Sequence, residues 1–392
     1  MDEFLATTLT KLNSDNYTVL NLVIGNESCD LDSAVSALVF ANFLHWQHNQ
    51  IKCKVCTKAH RNEDIVYKDD IFVPILNVDR SDFDLKTEVA YYLRQHGIVK
   101  KQLVFRDDFD LKQLVAKPKT KVVLVDHHVL ATKDQFLGQY VTEIIDHRPM
   151  DKSGWVYKDD TRTTIETLGS CCTLVAQRIK DLSTLVAKDV DFFNTYPLCT
   201  EMLHATIILD TVNFSKDVNK ATAHDEEIIL FLESILKPAD YKTERKRVLD
   251  SLTAAKSDVA NLTAAQLLKK DAKIVGDVLI PTFPILVQEF LKRPEALQAV
   301  SEALTAQGCQ VALLLGVDLK NGLQRDTALY SPTEPKRARR LSKYLEECTN
   351  PFLGLSRELL ANASDCSYFL QRNLSASRKQ YIPALTTFAN IK

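Results

Sequence analysis

The chain has 392 residues, room for two domains of ordinary size, and its 45% hydrophobic and 26% charged residues are the balance of a globular protein. Lys plus Arg number 49 and Asp plus Glu 51, a net charge of −2. Such a chain has no global field to recruit nucleic acid or a membrane surface, so an anionic substrate must be held by local bases or by metal. No run of about 18 apolar residues suits a membrane span. The start, MDEFLATTLTKL, carries Asp2 and Glu3 and lacks the marks of a secretory signal or a transit peptide. Nine scattered cysteines read as reduced thiols, which points to the cytoplasm and leaves a mitochondrial location open.

In chain order, residues 17–25 (YTVLNLVIG) are apolar and β-branched, a buried strand stopped by Gly25. Asp32 or Ser33 opens a helix through SAVSALVFANFLHW. Residues 51–57, holding Cys53 and Cys56, look like a strand, and this lone CxxC reads as core thiols rather than a zinc site. Residues 71–77 are apolar, but Pro74 suggests an edge or a loop. A helix over 84–96 ends at Gly97, and strands are expected at 102–106, 121–126 and 141–146. A turn then enters a helix within 163–182, and 198–209 is ambiguous between helix and strand. The polar stretch 217–240 reads as a domain boundary, with strands at 277–283 and 310–317 beyond it. Apolar strands alternating with helices imply parallel βαβ units.

Four apolar runs deliver a carboxylate at or just past their ends: Asp30 and Asp32, Asp126, Asp146 before His147 and Arg148, and Asp210. Gathered carboxylates repel unless a cation or proton compensates. Each alone has a plainer reading, Asp30 and Asp32 as a turn and a helix cap, for example. Together they point to a metal site where parallel strands end. Asp30 and Asp32 can reach neighbouring ions, Asp126 can bridge them, His147 supplies a nitrogen and Asp210 a further carboxylate. Oxygen ligands with one imidazole suit Mg²⁺ or Mn²⁺, with Co²⁺ allowed. Two such ions about 3.5–4 Å apart activate water and clamp a phosphoryl group.

The segments GNESCDLDS (25–33), FVPILNVDRSDFDL (72–85), VDHHVL (125–130), EIIDHRPM (143–150), LGSCCTLV (168–175), LHATIILDTVN (203–213), LLKKDAK (267–273) and SRKQ (377–380) carry a resemblance to the DHH phosphoesterase superfamily. The branch is the one with a DHHA2-type C-terminal domain, which holds family II pyrophosphatases, exopolyphosphatases and the prune proteins. DHR at 146–148, where most relatives have DHH, resembles the animal prune proteins most closely.

The resemblance implies an α/β fold: a mainly parallel-sheet DHH domain over 1–217, a linker over 218–239 and a smaller α/β DHHA2-type domain over 240–392, with the active site in the cleft between them. It implies two divalent cations on Asn26, Asp30, Asp32, Asp126, His147 and Asp210. Lys273, Arg378 and Lys379 fit the family's phosphate-binding bases, Lys273 least closely. Asn26 stands where the family's first motif has a metal-binding His, a change shared with prune and exopolyphosphatase relatives, so one ion should bind more loosely and tolerate Mg²⁺. Arg148 stands where pyrophosphatases have a second His; it cannot give up a proton but can fork onto phosphate oxygens. The implied activity is metal-dependent hydrolysis of short-chain polyphosphate, with Asp126 and Arg148 at the reacting centre. Cyclic AMP hydrolysis is the alternative, and a regulatory role with a weak hydrolase site is the second. The family also suggests a nucleoside diphosphate kinase partner.

Overall fold

The computed structural model describes residues 1–56, 69–117, 119–186, 191–319, 322–360 and 365–389. The chain divides into two compact units, Met1–Lys256 and Ser257–Lys392. The stretch 218–239 lies within the first unit and is mostly the helix Ala223–Leu236.

The first unit is built on six parallel strands: β1 Leu20–Ile24, β2 Ile71–Leu76, β3 Val104–Phe105, β4 Thr120–Val125, β5 Val141–Asp146 and β6 Arg162–Ile165. Their order is β3-β2-β1-β4-β5-β6. The direction of winding reverses between β1 and β4, so the crevice past their carboxyl ends is the natural ligand site of such a sheet. β1 is buried throughout, as its mainly apolar run predicts; Asn21, the exception, donates to the Ile71 carbonyl. The helix Leu31–Cys56 leaves the end of β1 and is buried along residues 31–43. Its apolar side chains have no polar face to spare, and it packs on β2 and on the helices Cys171–Val186 and Pro197–Asp210.

Three expectations are corrected here. Residues 51–56 end the long helix and form no strand; the side chains of Cys53 and Cys56 lie outside the described residues. β2 is an interior strand despite Pro74. Ile71 donates to Val19 and Gly25 donates to Ile75, so Pro74 turns its missing N–H away from β1, toward β3, which pairs only with Ile75 and Leu76. The ambiguous 198–209 run is helical, so Asp210 ends the helix Pro197–Asp210 and not a strand.

The second unit also holds six strands: β7 Ala272–Val275, β8 Val278–Phe283, β9 Val311–Asp318, β10 Gln324–Tyr330, β11 Leu355–Glu358 and β12 Ser367–Gln371. They run in the order β11-β12-β10-β9-β8-β7, antiparallel except for β8 beside β9. Only β8 and β9 follow plainly from the sequence. β10 escapes because its core holds Asp326, which is buried and accepts from the backbone of Val287 at 2.7 Å and of Gln288 at 3.1 Å, and from the Tyr368 hydroxyl at 3.0 Å. No helix among the described residues is long and apolar enough to cross a membrane.

Candidate metal centre

The loop after β1 turns sharply into the long helix. Gly25 is required there, because a Cβ would stand 2.3 Å from the Ser33 hydroxyl oxygen. Asp30 accepts from the backbone of Ser33 at 3.2 Å and so caps the helix. Asp32, one residue inside, is 3% exposed and points across to the next helix. There it accepts from Ser170 Oγ at 3.0 Å and from the amides of Cys171 and Cys172 at 2.7 and 2.9 Å. The carboxylate therefore sits at the N-terminus of the helix Cys171–Val186, where donors and dipole favour negative charge.

Asp126 follows β4 with φ +61°, a left-handed conformation that Asp and Asn tolerate best among residues with a side chain. Its side chain is 1% exposed, and neither carboxylate oxygen receives a hydrogen bond of acceptable geometry. His147 Nε2 lies 3.3 Å and Arg148 Nη1 3.0 Å from Oδ1. Its main-chain carbonyl accepts from Arg148 and, at 3.0 Å, from the Asn26 amide. The Asn26 Oδ1 accepts from Ser28 at 3.1 Å, so both ends of that amide are engaged.

His147 follows β5. Its Nδ1 stands 3.0 Å from the Leu168 carbonyl, which can only accept, so Nδ1 carries the proton and Nε2 is left to face the carboxylates. Ligand atoms of Asp32, Asp126 and His147 all lie within 4.8 Å of one another. Asp210 stands outside this group but feels it: burial, then the charge of Asp32, holds its carboxyl well above the usual range, and its Oδ2 is buried without a partner. Past Asp210, Val212, Asn213 and Phe214 are all left-handed, at φ 50°, 50° and 59°. Strain of this kind gathers at functional sites.

Electrostatics bear out a shortage of positive charge. Burial pushes Asp126 up to about 7, with Asp32 and Asp30 adding to it against the pull of His147 and Arg148. Burial opposes charge on His147, yet Asp126 and Asp32 lift it to about 9. One imidazole and one guanidinium, with Lys220 acting on Asp210, face the carboxylates of Asp30, Asp32, Asp126 and Asp210. A divalent cation fits this donor set and removes the deficit.

Sequence reasoning passed over the residues that hold Arg148. His128 is 4% exposed; its Nδ1 donates to Asp146 Oδ2, and its Nε2 accepts from the Asp151 amide at 2.8 Å. Asp146 Oδ1 then accepts from Arg148 Nη1 at 3.1 Å. The signal was present in the doubled His of VDHH, whose second member has no free ring nitrogen for a metal. His127 is held through Nδ1 by the Val125 carbonyl at 2.9 Å. His127, His128, Asn26, Asn77 and Arg148 line a cavity of about 180 Å³. A larger cavity of about 660 Å³ lies among Tyr91, His96, Glu201 and Arg247 and contains none of the expected site residues.

In the second unit, Arg378 opens the helix Arg378–Ala389 and binds Asp271, at 2.7 Å to the carboxylate and 3.0 Å to the carbonyl. Lys273 lies two residues on in edge strand β7, and both it and Lys379 are exposed. The three bases thus gather around the start of β7.

The family model of the DHH family N-terminal domain matches residues 21–208, and that of the DHHA2 domain matches residues 250–388. The chain is 33% identical over 374 residues to Exopolyphosphatase PRUNE1 of Rattus norvegicus, covering 93% of this chain and 74% of that protein. The human PRUNE1 is 32% identical over 372 residues, covering 93% and 75%. A protein of Deinococcus radiodurans named "Probable manganese-dependent inorganic pyrophosphatase" is 26% identical over 262 residues, covering 64% of this chain and 74% of that protein. This chain belongs to the DHH family with a DHHA2 domain, in the group of the animal prune exopolyphosphatases.

Proposed function

We propose that the protein is a divalent-cation-dependent phosphohydrolase that cleaves phosphoanhydride bonds, with short-chain polyphosphate as its preferred substrate. The observation that carries this reading is the Asp126 carboxylate, buried at a sheet-end crevice with no hydrogen bond to either oxygen. Arg148 at 3.0 Å and His147 at 3.3 Å stand beside one of those oxygens, but with Asp30 and Asp32 gathered near it, and Asp210 near those, a divalent cation is the ordinary further partner. Asn26, Asp30, Asp32, Asp126, His147 and Asp210 would hold two ions, Mg²⁺ or Mn²⁺, with Asp126 common to both. When bound, such ions activate water and neutralise phosphate oxygens.

The residues of the chain divide the remaining work. Leu168 fixes the His147 tautomer, and Asp146 aims Arg148 beside Asp126. Arg148 keeps its charge through the reaction and steadies the phosphate oxygens as negative charge builds. Lys273, Arg378 and Lys379 are proposed phosphate-binding bases, supported by their grouping at the start of β7. Seven described cysteines are free thiols, which supports a cytoplasmic setting. The kinase partner rests on the family resemblance alone.

The test is turnover of tripolyphosphate, pyrophosphate and cyclic AMP by the purified protein with Mg²⁺ or Mn²⁺ and with chelator. Tripolyphosphate should be hydrolysed fastest, and chelator should abolish the reaction. Faster cleavage of cyclic AMP would favour the phosphodiesterase alternative, and no turnover the regulatory one.

A further inference from the structure

The helix Pro335–Glu347 of the second unit reverses the usual charge order of a helix. Lys336, Arg337, Arg339, Arg340 and Lys343 fill its first nine positions, while Glu346 and Glu347 stand at its end. The macrodipole disfavours cations at the start and anions at the finish. Spacings of three and four residues also bring Lys336 beside Arg339 and Arg340, and Lys343 beside both, so like charges meet on one face. Glu334 at the N-cap, the Arg337–Asp277 pair and the Arg357–Glu346 pair offset part of this, and the remaining charge of Lys336, Arg339 and Arg340 suits a bound anion.

The stripe is free to meet one. Lys336, Arg339, Arg340 and Lys343 are exposed, while Ala338, Leu341 and Leu345 bury the opposite face. Lys343 has a loose contact with Glu347 at 3.8 Å, but among the described residues no ion pair is formed by Lys336, Arg339 or Arg340. Arg337 is separate: it turns inward to Asp277 at 2.7 Å and lies over the Phe388 ring. Residues 257–392 hold 17 Lys and Arg against 13 Asp and Glu, so this unit is net positive in a chain that is net negative.

The surroundings narrow the ligand. Tyr344 packs on Phe388, so the helix offers no exposed ring on which bases could stack. It has no exposed apolar face to enter a lipid surface. Four cations along about 10 Å of helix suit a thin, flexible chain of phosphates. We propose that this stripe is a docking site for long-chain inorganic polyphosphate, formed by residues that the metal centre does not use. The identity of the polyanion rests on the phosphohydrolase reading; the existence of the site does not.

The experiment is binding of fluorescently labelled long-chain polyphosphate to the full chain in chelator, where no turnover occurs. It compares wild type, the double variant Arg339→Glu with Arg340→Glu, and the double variant Arg339→Lys with Arg340→Lys, each checked for a native melt. Charge reversal should weaken binding at least about tenfold near 0.1 M salt, and the Lys pair should stay within about threefold of wild type. Undiminished binding after charge reversal would overturn the proposal, as would equal loss in the Lys pair or tighter capture by phosphatidylserine vesicles. A parallel collapse of tripolyphosphate turnover in the Glu pair would also overturn it, by placing the stripe in the catalytic site. A wild type that binds polyphosphate in this way but hydrolyses none would leave docking intact and defeat the phosphohydrolase reading.

Discussion

His147 Nε2 lies 3.3 Å from Asp126 Oδ1, while the opposite ring nitrogen is committed to the Leu168 carbonyl 3.0 Å away. That commitment leaves Nε2 as the nitrogen open to a metal, beside a buried carboxylate that Arg148 also approaches at 3.0 Å. His147→Gln should keep the fold, since the ring is only partly buried, and should weaken cation binding by about 10-fold or more. Calorimetric titration with Mn²⁺ checks this; an unchanged affinity would remove His147 from the ligand set.

Under the proposed function, Arg148 sets substrate choice. It stays charged at neutral pH and offers several donors, so it binds phosphate without giving up a proton. Arg148→Ala should slow polyphosphate hydrolysis by about 10²–10³, the usual loss for one charge-stabilising contact in such a site. Arg148→His should shift the balance toward pyrophosphate. Rates on both substrates at fixed Mg²⁺ decide the matter, and a polyphosphate rate untouched in Arg148→Ala places the guanidinium outside the substrate shell.

His128 holds Asp146, and Asp146 holds Arg148, so under the proposed function His128 is a positioning residue. His128→Ala leaves buried Asp146 short of a donor, at a cost of about 1–3 kcal/mol in stability. It should also lower turnover, because Arg148 loses its fixed anchor. Once Arg148 is Ala, the second change should do little more to the rate. Fully additive losses of rate in the double variant would show that the two side chains act independently.

Acid stability depends on a separate cluster. Burial works to raise Glu233, but the fork of Arg245, at 2.6 and 2.7 Å, and buried His204 at 3.1 Å hold it down at about 2. A depressed carboxylate contributes stability above its unfolded value of 4.5, and that contribution is lost as pH falls through about 2. The loss should amount to roughly 3 kcal/mol. Denaturant unfolding between pH 4.5 and 2 should show this decline in wild type and not in Glu233→Gln; equal slopes would remove Glu233 as its source.

Much of this was readable from residues alone, for reasons that differ by element. β1, β4 and β5 announce themselves because parallel strands covered on both faces need mainly apolar runs, broken here only near their starts by Asn21, Thr120, Lys121, Thr142 and Glu143, and the carboxylates at their ends stand out against that background. Pro74 misled because its place in a sheet depends on which neighbour its nitrogen faces, and no local pattern carries that. Residues 51–56 misled because a short run of apolar and β-branched residues fits a helix end as well as a strand. The role of His128 was hidden for a further reason: DHH spells ligands and supports alike, and only the partners of each ring nitrogen separate them. Asp32 was legible as a metal candidate, but its three donors at residues 170–172 come from 138 positions away.

The central claim is that Asp126 is the carboxylate around which the cations assemble. Asn at this position accepts the left-handed backbone, so Asp126→Asn keeps the fold while losing the charge. The direct measurement is the number of Mn²⁺ ions bound per chain, by equilibrium dialysis and elemental analysis, for wild type and for this variant. The account predicts two ions on wild type and at most one, weakly held, on Asp126→Asn. Two ions retained at unchanged affinity in the variant would contradict it.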